Sequence, residues 1–169
     1  MFFPITFLIG VLGGAAIYTA TTLRRHPRQI SRRVALALLW FWTAIVVYFT
    51  FGTPSGGGQT LNLKPLDVTN SADILDAVLN VLMFAPSGIL LALLPVRWHQ
   101  AALCGFLGSL TIEATQYLTR SGRSADINDL TTNTLGTLIG FACTAAVLTL
   151  TPTNHSTHTH TRQQKQDAL

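Results

Sequence analysis

Between Ile112 and Gly140 the chain reads IEATQYLTRSGRSADINDLTTNTLGTLIG. Glu113 and Asp126 are candidate general bases, Arg123 can grip phosphate oxygens through its planar fork, and Gln116, Asp129 and Asn133 can orient a ligand. Asn80, in an earlier apolar stretch, adds a further amide. Such groups suit acid–base work on a charged ligand, or its recognition. Cys104 and Cys143 do not extend the set, because nothing beside them would hold a thiolate, and neither a disulfide nor a serine triad is indicated. Asp126, Asp129 and Glu113 would offer oxygen ligands to Mg²⁺ or Mn²⁺, no metal ligand is assigned among them, and the cofactor is left open.

The surroundings of these residues are apolar. The chain has 169 residues, 49% of them hydrophobic and 11% charged, with a mean hydropathy of +0.40. A soluble domain carries about 25% charged residues, so the composition indicates a membrane protein. Five runs are long enough to span a bilayer: Phe2 to Thr22, Val34 to Phe51, Ala77 to Val96, Ala101 to Leu118 and Leu130 to Leu150. The expected fold is therefore all-α, a polytopic bundle of five transmembrane helices, with Pro86 kinking the third. The first run has its arginines after it and not before, so it reads as a retained helix and not a cleaved signal peptide.

Basic residues set the orientation, because cytoplasmic loops are enriched in them. Arg24, Arg25, Arg28, Arg32, Arg33, Arg97, Arg162 and Lys165 fall on one side, and Lys64, Arg120 and Arg123 on the other. Eight against three puts the C-terminus in the cytoplasm and, with five spans, the N-terminus outside. The same topology accounts for the pI of 9.6 without nucleic acid as a partner. The units expected are an N-terminal helix and basic cytoplasmic loop (1–33), a four-helix membrane domain (34–150) and a disordered cytoplasmic tail (151–169).

At 1.5 Å per residue, Glu113 lies about 7 Å below the outer end of its run and Asn133 about 5 Å below its own. Asn80 falls at a similar depth, so the three amide and acid groups are expected at one level. An ionisable group in hydrocarbon turns toward protein or water, and the expected result is a polar basin between the third, fourth and fifth helices, open to the outside. Gly136 and Gly140 form a small-xxx-small pair below Asn133, and Gly10 and Gly14 form another, both read as close-packing contacts.

Other features carry less. Gly56, Gly57 and Gly58 lack the Lys and following helix start of a phosphate loop and read as a linker. His155, His158 and His160 have no Cys or carboxylate nearby to complete a metal site. No internal repeat suggests the paired halves of a transporter, and the oligomeric state is left open.

The segments NLKPL (Asn62 to Leu66), DAVLNVLMFAPSG (Asp76 to Gly88) and the opening stretch together resemble the VanZ-like family of bacterial membrane proteins. That family's pattern is matched by Asn80, by Phe84, Pro86 and Gly88, by Glu113 and Gln116, by Arg123, Asp126 and Asp129, and by Asn133, Thr134, Gly136 and Gly140. The resemblance covers about Val34 to Leu150, departing mildly at Ser87 and at Lys64-Pro65-Leu66. It implies a four-helix core in the bacterial plasma membrane and an association with the cell envelope and teicoplanin resistance. It also implies a neighbourhood of enzymes that exchange lipid headgroups.

Three functions remain open: an enzyme acting on a phospholipid or polyprenyl-phosphate headgroup, a protein that binds a headgroup or antibiotic without chemistry, and a scaffold whose polar cluster only fixes helix packing. In the scaffold, Arg123 would pair with Asp126 and Glu113 would bond Asn133. The topology has its own test. A cytoplasm-active reporter fused after Leu169 is expected to work, and activity of a periplasm-type reporter alone would invert the orientation.

Overall fold

The computed structural model describes residues 3–23, 30–52, 61–119 and 124–151. Outside the described residues lie Arg24, Arg25, Arg28, the triple glycine Gly56, Gly57 and Gly58, Arg120, Arg123 and the tail with its histidines. The described residues form five helices: α1 (Phe3–Leu23), α2 (Ile30–Phe51), α3 (Ser71–Ala92), α4 (Trp98–Thr119) and α5 (Ile127–Leu150). One short parallel pair joins β1 (Leu61–Asn62) to β2 (Ala125–Asp126), with Leu61 opposite Ala125 and Asn62 opposite Asp126. The helices are those that the apolar runs predict; the strand pair has no counterpart in that pattern.

The interior is built from small and polar side chains. Ala35, Ala101, Ser109, Gln116, Asn133 and Thr137 are buried, whereas large apolar residues such as Leu12, Phe49, Leu82, Leu107 and Val147 face outward. Lipid is as apolar as leucine, so nothing drives leucines inward and close contact between backbones favours small residues instead. Helical threonines return their hydroxyls to their own helix, as Thr43 does to Leu39 O at 2.8 Å and Thr111 to Leu107 O at 2.7 Å. In hydrocarbon that leaves no hydroxyl unsatisfied. The chain is accordingly a multi-pass membrane protein. Four helices are long and apolar enough to cross a bilayer on composition alone. The fifth, α4, is diluted by Ser109, Glu113 and Gln116, which it turns inward with Ala101 and Gly105.

Helix ends follow capping residues more closely than hydropathy. Asn70 caps α3, its side chain accepting from Ala72 N at 3.0 Å, so the helix begins six residues before Ala77 and includes Asp73 and Asp76. Asp126 caps α5 by accepting from Asn128 N at 2.8 Å. Asp67 leads the chain into α3, and the hydroxyl and then the amide of Thr69 hold its carboxyl below the usual range. Pro86 sits inside α3 and offers no N–H to Leu82 O. In the same turn, Met83 O accepts the Trp42 indole N–H at 2.9 Å, tying α2 to α3.

The broadest helix contact is between α3 and α5, which run parallel. A Cβ at Gly136 would run into Val81 O, one at Gly140 into Ala85 O, and one at Gly88 into Thr137 O. The expected Gly136 and Gly140 pair is thus a seat for the α3 backbone, with Gly88 answering from the other side. On the far side of α5, Gly105 of the antiparallel α4 leaves room for Thr137. The other pair, Gly10 and Gly14, packs α1 on α2 against Phe41, Ala44 and Ala37 O. Cys104 and Cys143 are exposed on the bundle surface.

Backbone atoms cannot step aside as a side-chain tip can. Gly140→Ala is expected to lower thermal stability by about 1–3 kcal/mol through overpacking. Gly108→Ala, where the nearest atom is Phe84 Cε1 at 3.9 Å, is expected to leave it unchanged. Melting curves of the purified variants provide the check.

Candidate functional site

The polar residues gather at the end of the bundle where α3 and α5 begin and α4 finishes. Asp126 is the junction. Its Oδ1 caps α5, its Oδ2 accepts from Asn62 Nδ2 at 2.7 Å, and its backbone N–H donates to Glu113 Oε2 at 2.7 Å. One residue therefore links the loop after α2, the end of α4 and the start of α5. The Asn128 side chain adds a second tie to the loop, donating to Lys64 O at 2.8 Å, while Lys64 N donates to Asn62 Oδ1 at 3.1 Å.

One turn along α5, Asp129 Oδ1 accepts from Asn80 Nδ2 at 2.7 Å. One turn further, Asn133 Nδ2 donates to Ser109 Oγ at 2.9 Å, and Ser109 Oγ reaches Asp129 O at 3.4 Å. Asn80, Glu113 and Asn133 therefore occupy successive tiers, not one level. Asn133 lies opposite Ser109, four residues and about 6 Å along α4 from Glu113. The single-level expectation failed because α5 begins at Ile127 and not at Leu130, so depths counted from the apolar run put Asn133 too near the surface. The bond between Glu113 and Asn133 that a scaffold would use is replaced by the one to Ser109.

A cleft of about 1230 Å³ opens beside these tiers. Asn80, Gln116, Asp126 and Asp129 line it; Glu113 and Asn133, both buried, stand behind its wall. The cleft differs from the expected basin in having α2 as one side. From its polar mouth it descends between α2 and α3 past Trp42, Phe49, Leu79, Leu82 and Met83. Met83 is twelve residues into α3, so the trough reaches about 18 Å along that helix. Its wall is open to the bilayer side, where Leu82 is 61% exposed.

Of the predicted site residues, the structure brings together Asn80 with Asp129, Glu113 with Asp126, and Gln116 with the cleft. Arg123 lies outside the described residues. The carboxylates of Glu113, Asp126 and Asp129 accept from different donors, and among the described residues no group of three or more His, Cys, Asp or Glu side chains is arranged to hold a metal. Three contributors were given no site role in the sequence: Asn62, which entered only within the NLKPL segment, Asn128 and Ser109. Ser109 was visible in principle, since Gly105, Ser109, Glu113 and Gln116 form one i, i+4, i+8, i+11 stripe. Asn62 was not, because a loop has no period to show which residue points at a helix end.

The VanZ/LLP1 family model matches residues 3–150, a stretch that takes in α1 as well as the four-helix core. Neither a curated protein nor a solved structure shows significant similarity to the chain.

The bond from Asp126 N to Glu113 separates two roles of the acid. Glu113→Gln retains an acceptor and is expected to fold at near-normal stability. Glu113→Leu strands the Asp126 N–H and should cost about 1–3 kcal/mol, read as a lower melting temperature and less folded protein.

Proposed function

The chain belongs to the VanZ-like family, and from that premise and the shape of the cleft we propose that it binds a phospholipid or polyprenyl-phosphate headgroup at the extracytoplasmic face and acts in cell-envelope metabolism. The observation that carries this reading is the two-part cleft. Its mouth is polar, its floor runs half-way down a membrane helix, and its apolar side faces lipid. A soluble ligand has no use for such a trough, whereas an amphiphile fills both parts and can enter sideways from the bilayer.

In this reading, Asp126 and Asp129 are the carboxylates at the wall, Asn80 holds Asp129 in place, and Glu113 acts through the Asp126 backbone as a positioning residue. Arg123, one residue from Ser124 on the cleft wall, supplies the cation for a phosphate. Proton transfer belongs to Asp126, because Glu113 is buried behind it. Protection from a glycopeptide such as teicoplanin would follow from a changed or occluded envelope lipid.

The test is lipid mass spectrometry of membranes from cells with and without the protein. A changed headgroup or polyprenyl intermediate identifies catalysis, and an unchanged lipidome with lipid retained on the purified protein identifies binding alone. Glu113→Gln and Asp126→Asn are expected to reach normal membrane levels yet lose the effect. Arg123→Lys should be impaired as well, since lysine keeps the charge without the fork. Full effect in the Glu113 and Asp126 variants would remove this site from the function.

A further inference from the structure

α2 divides its surface between two neighbours. Ala37, Phe41, Ala44 and Tyr48 stand at i, i+4, i+7 and i+11 on one stripe, and α1 covers it. Gly14 leaves room for Ala37 O and Gly10 for Ala44 and Phe41. The Phe7 ring meets Phe41 with centroids 5.7 Å apart, and the Phe3 ring meets Tyr48 at 4.9 Å. Trp40 adds its indole N–H to Ile9 O at 3.3 Å. The adjoining face of α2 carries Trp42, Phe49 and Thr50, which line the cleft, and no described residue of α1 lines it.

Tyr48 joins the two faces. Its ring packs edge to face with Phe3 of α1 at an interplanar angle of 70°, and with Phe49 at 63° and 5.7 Å. Phe49 is 51% exposed and forms part of the trough, so an apolar chain lying there rests against its ring. A long or aromatic side chain on a helix has two open χ1 wells, and an edge contact from a neighbouring ring favours one of them. The position of that wall therefore depends on a ring contributed by the helix on the far side of α2.

We propose that Phe3, acting through Tyr48, is a positioning residue for the Phe49 wall of the cleft, so that α1 sets the shape of the trough for a lipid chain without touching the ligand. This deepens the lipid reading and rests on it for the ligand. Seating α1 on α2 is served by Gly10 and Gly14, and the three-ring relay adds a hold on one particular side chain of the cleft.

The full-length protein in detergent is titrated with dioleoyl phosphatidylglycerol and retained lipid is read by native mass spectrometry, while a single fluorine on the Phe49 ring is followed by NMR. Phe3→Ala and Tyr48→Ala are each expected to weaken retention about two- to tenfold, the value of one aromatic pair, and to shift the fluorine resonance. Tyr48→Phe keeps the ring and should leave both readings unchanged, as should Leu12→Ala at a lipid-facing position of α1. Phe3→Leu keeps apolar bulk without the ring and gives the same test if Phe3→Ala folds poorly. Phe49→Ala should itself weaken retention, and adding Phe3→Ala to it should bring no further loss, because Phe3 acts through that ring. An equal further loss in the Phe49→Ala background, or a fluorine resonance unmoved by Phe3→Ala, would overturn the relay and leave the lipid reading standing. No retention by the unsubstituted chain would overturn the lipid reading, and a fluorine resonance that still answers to Phe3→Ala would keep the positioning of the wall.

Discussion

The contact between the α3 and α5 backbones is the constraint on which the other features depend. Gly136 and Gly140 let the carbonyls of Val81 and Ala85 sit where side chains would otherwise be, and Gly88 does the same for Thr137 O. Helices this close gain dispersion along their length, the main attraction available in a medium as apolar as their side chains. The same contact fixes a register. With Val81 on Gly136 and Ala85 on Gly140, Asn80 faces Asp129 within hydrogen-bonding distance. A larger residue at any of these glycines would therefore disturb a polar bond one or two turns away as well as the packing.

α4 completes the arrangement from the other side of α5. Its inward stripe descends in size and polarity from Gln116 and Glu113 through Ser109 to Gly105, so polar groups meet α5 near the bundle end and deeper in the Gly105 backbone makes room for the Thr137 side chain. The loop after α2 is then drawn onto Asp126 by Asn62 and by the strand pair. A hydrogen bond from Trp42 to Met83 O ties α2 to α3, and the cleft lies beside that tie, between the two helices. Rigid packing on one side of α3 and an open trough on the other follow from where glycines occur along it and its partners.

Much of this was legible in the sequence. Five apolar runs correspond to five helices because hydrocarbon permits little else to span it, and the Gly136 and Gly140 pair marked a close contact because spacing four on a helix puts both on one face. Glu113 and Gln116 were recognisable as inward-facing for the same reason, combined with the cost of exposing them to lipid. What the pattern could not supply was which helix each face meets. That Asn133 reaches Ser109 and not Glu113 depends on where α5 begins, and this is decided by the Asp126 cap, a polar residue outside the apolar count. The loop residues Asn62 and Lys64 join the site through tertiary contacts with no periodic trace, and nothing in the apolar run of α2 marked Trp42, Phe49 and Thr50 as a wall of the cleft.

The central claim is that a lipid occupies the cleft between α2 and α3. A phospholipid with a photoactivatable group in its acyl chain, crosslinked to the protein in membranes and mapped by peptide mass spectrometry, tests it most directly. The account predicts heavy labelling at Leu79, Leu82 and Met83 that an excess of unlabelled lipid displaces, against light and non-saturable labelling at Leu103 and Leu107 on the outer face of α4. Uniform labelling of both surfaces, indifferent to competitor, would contradict it.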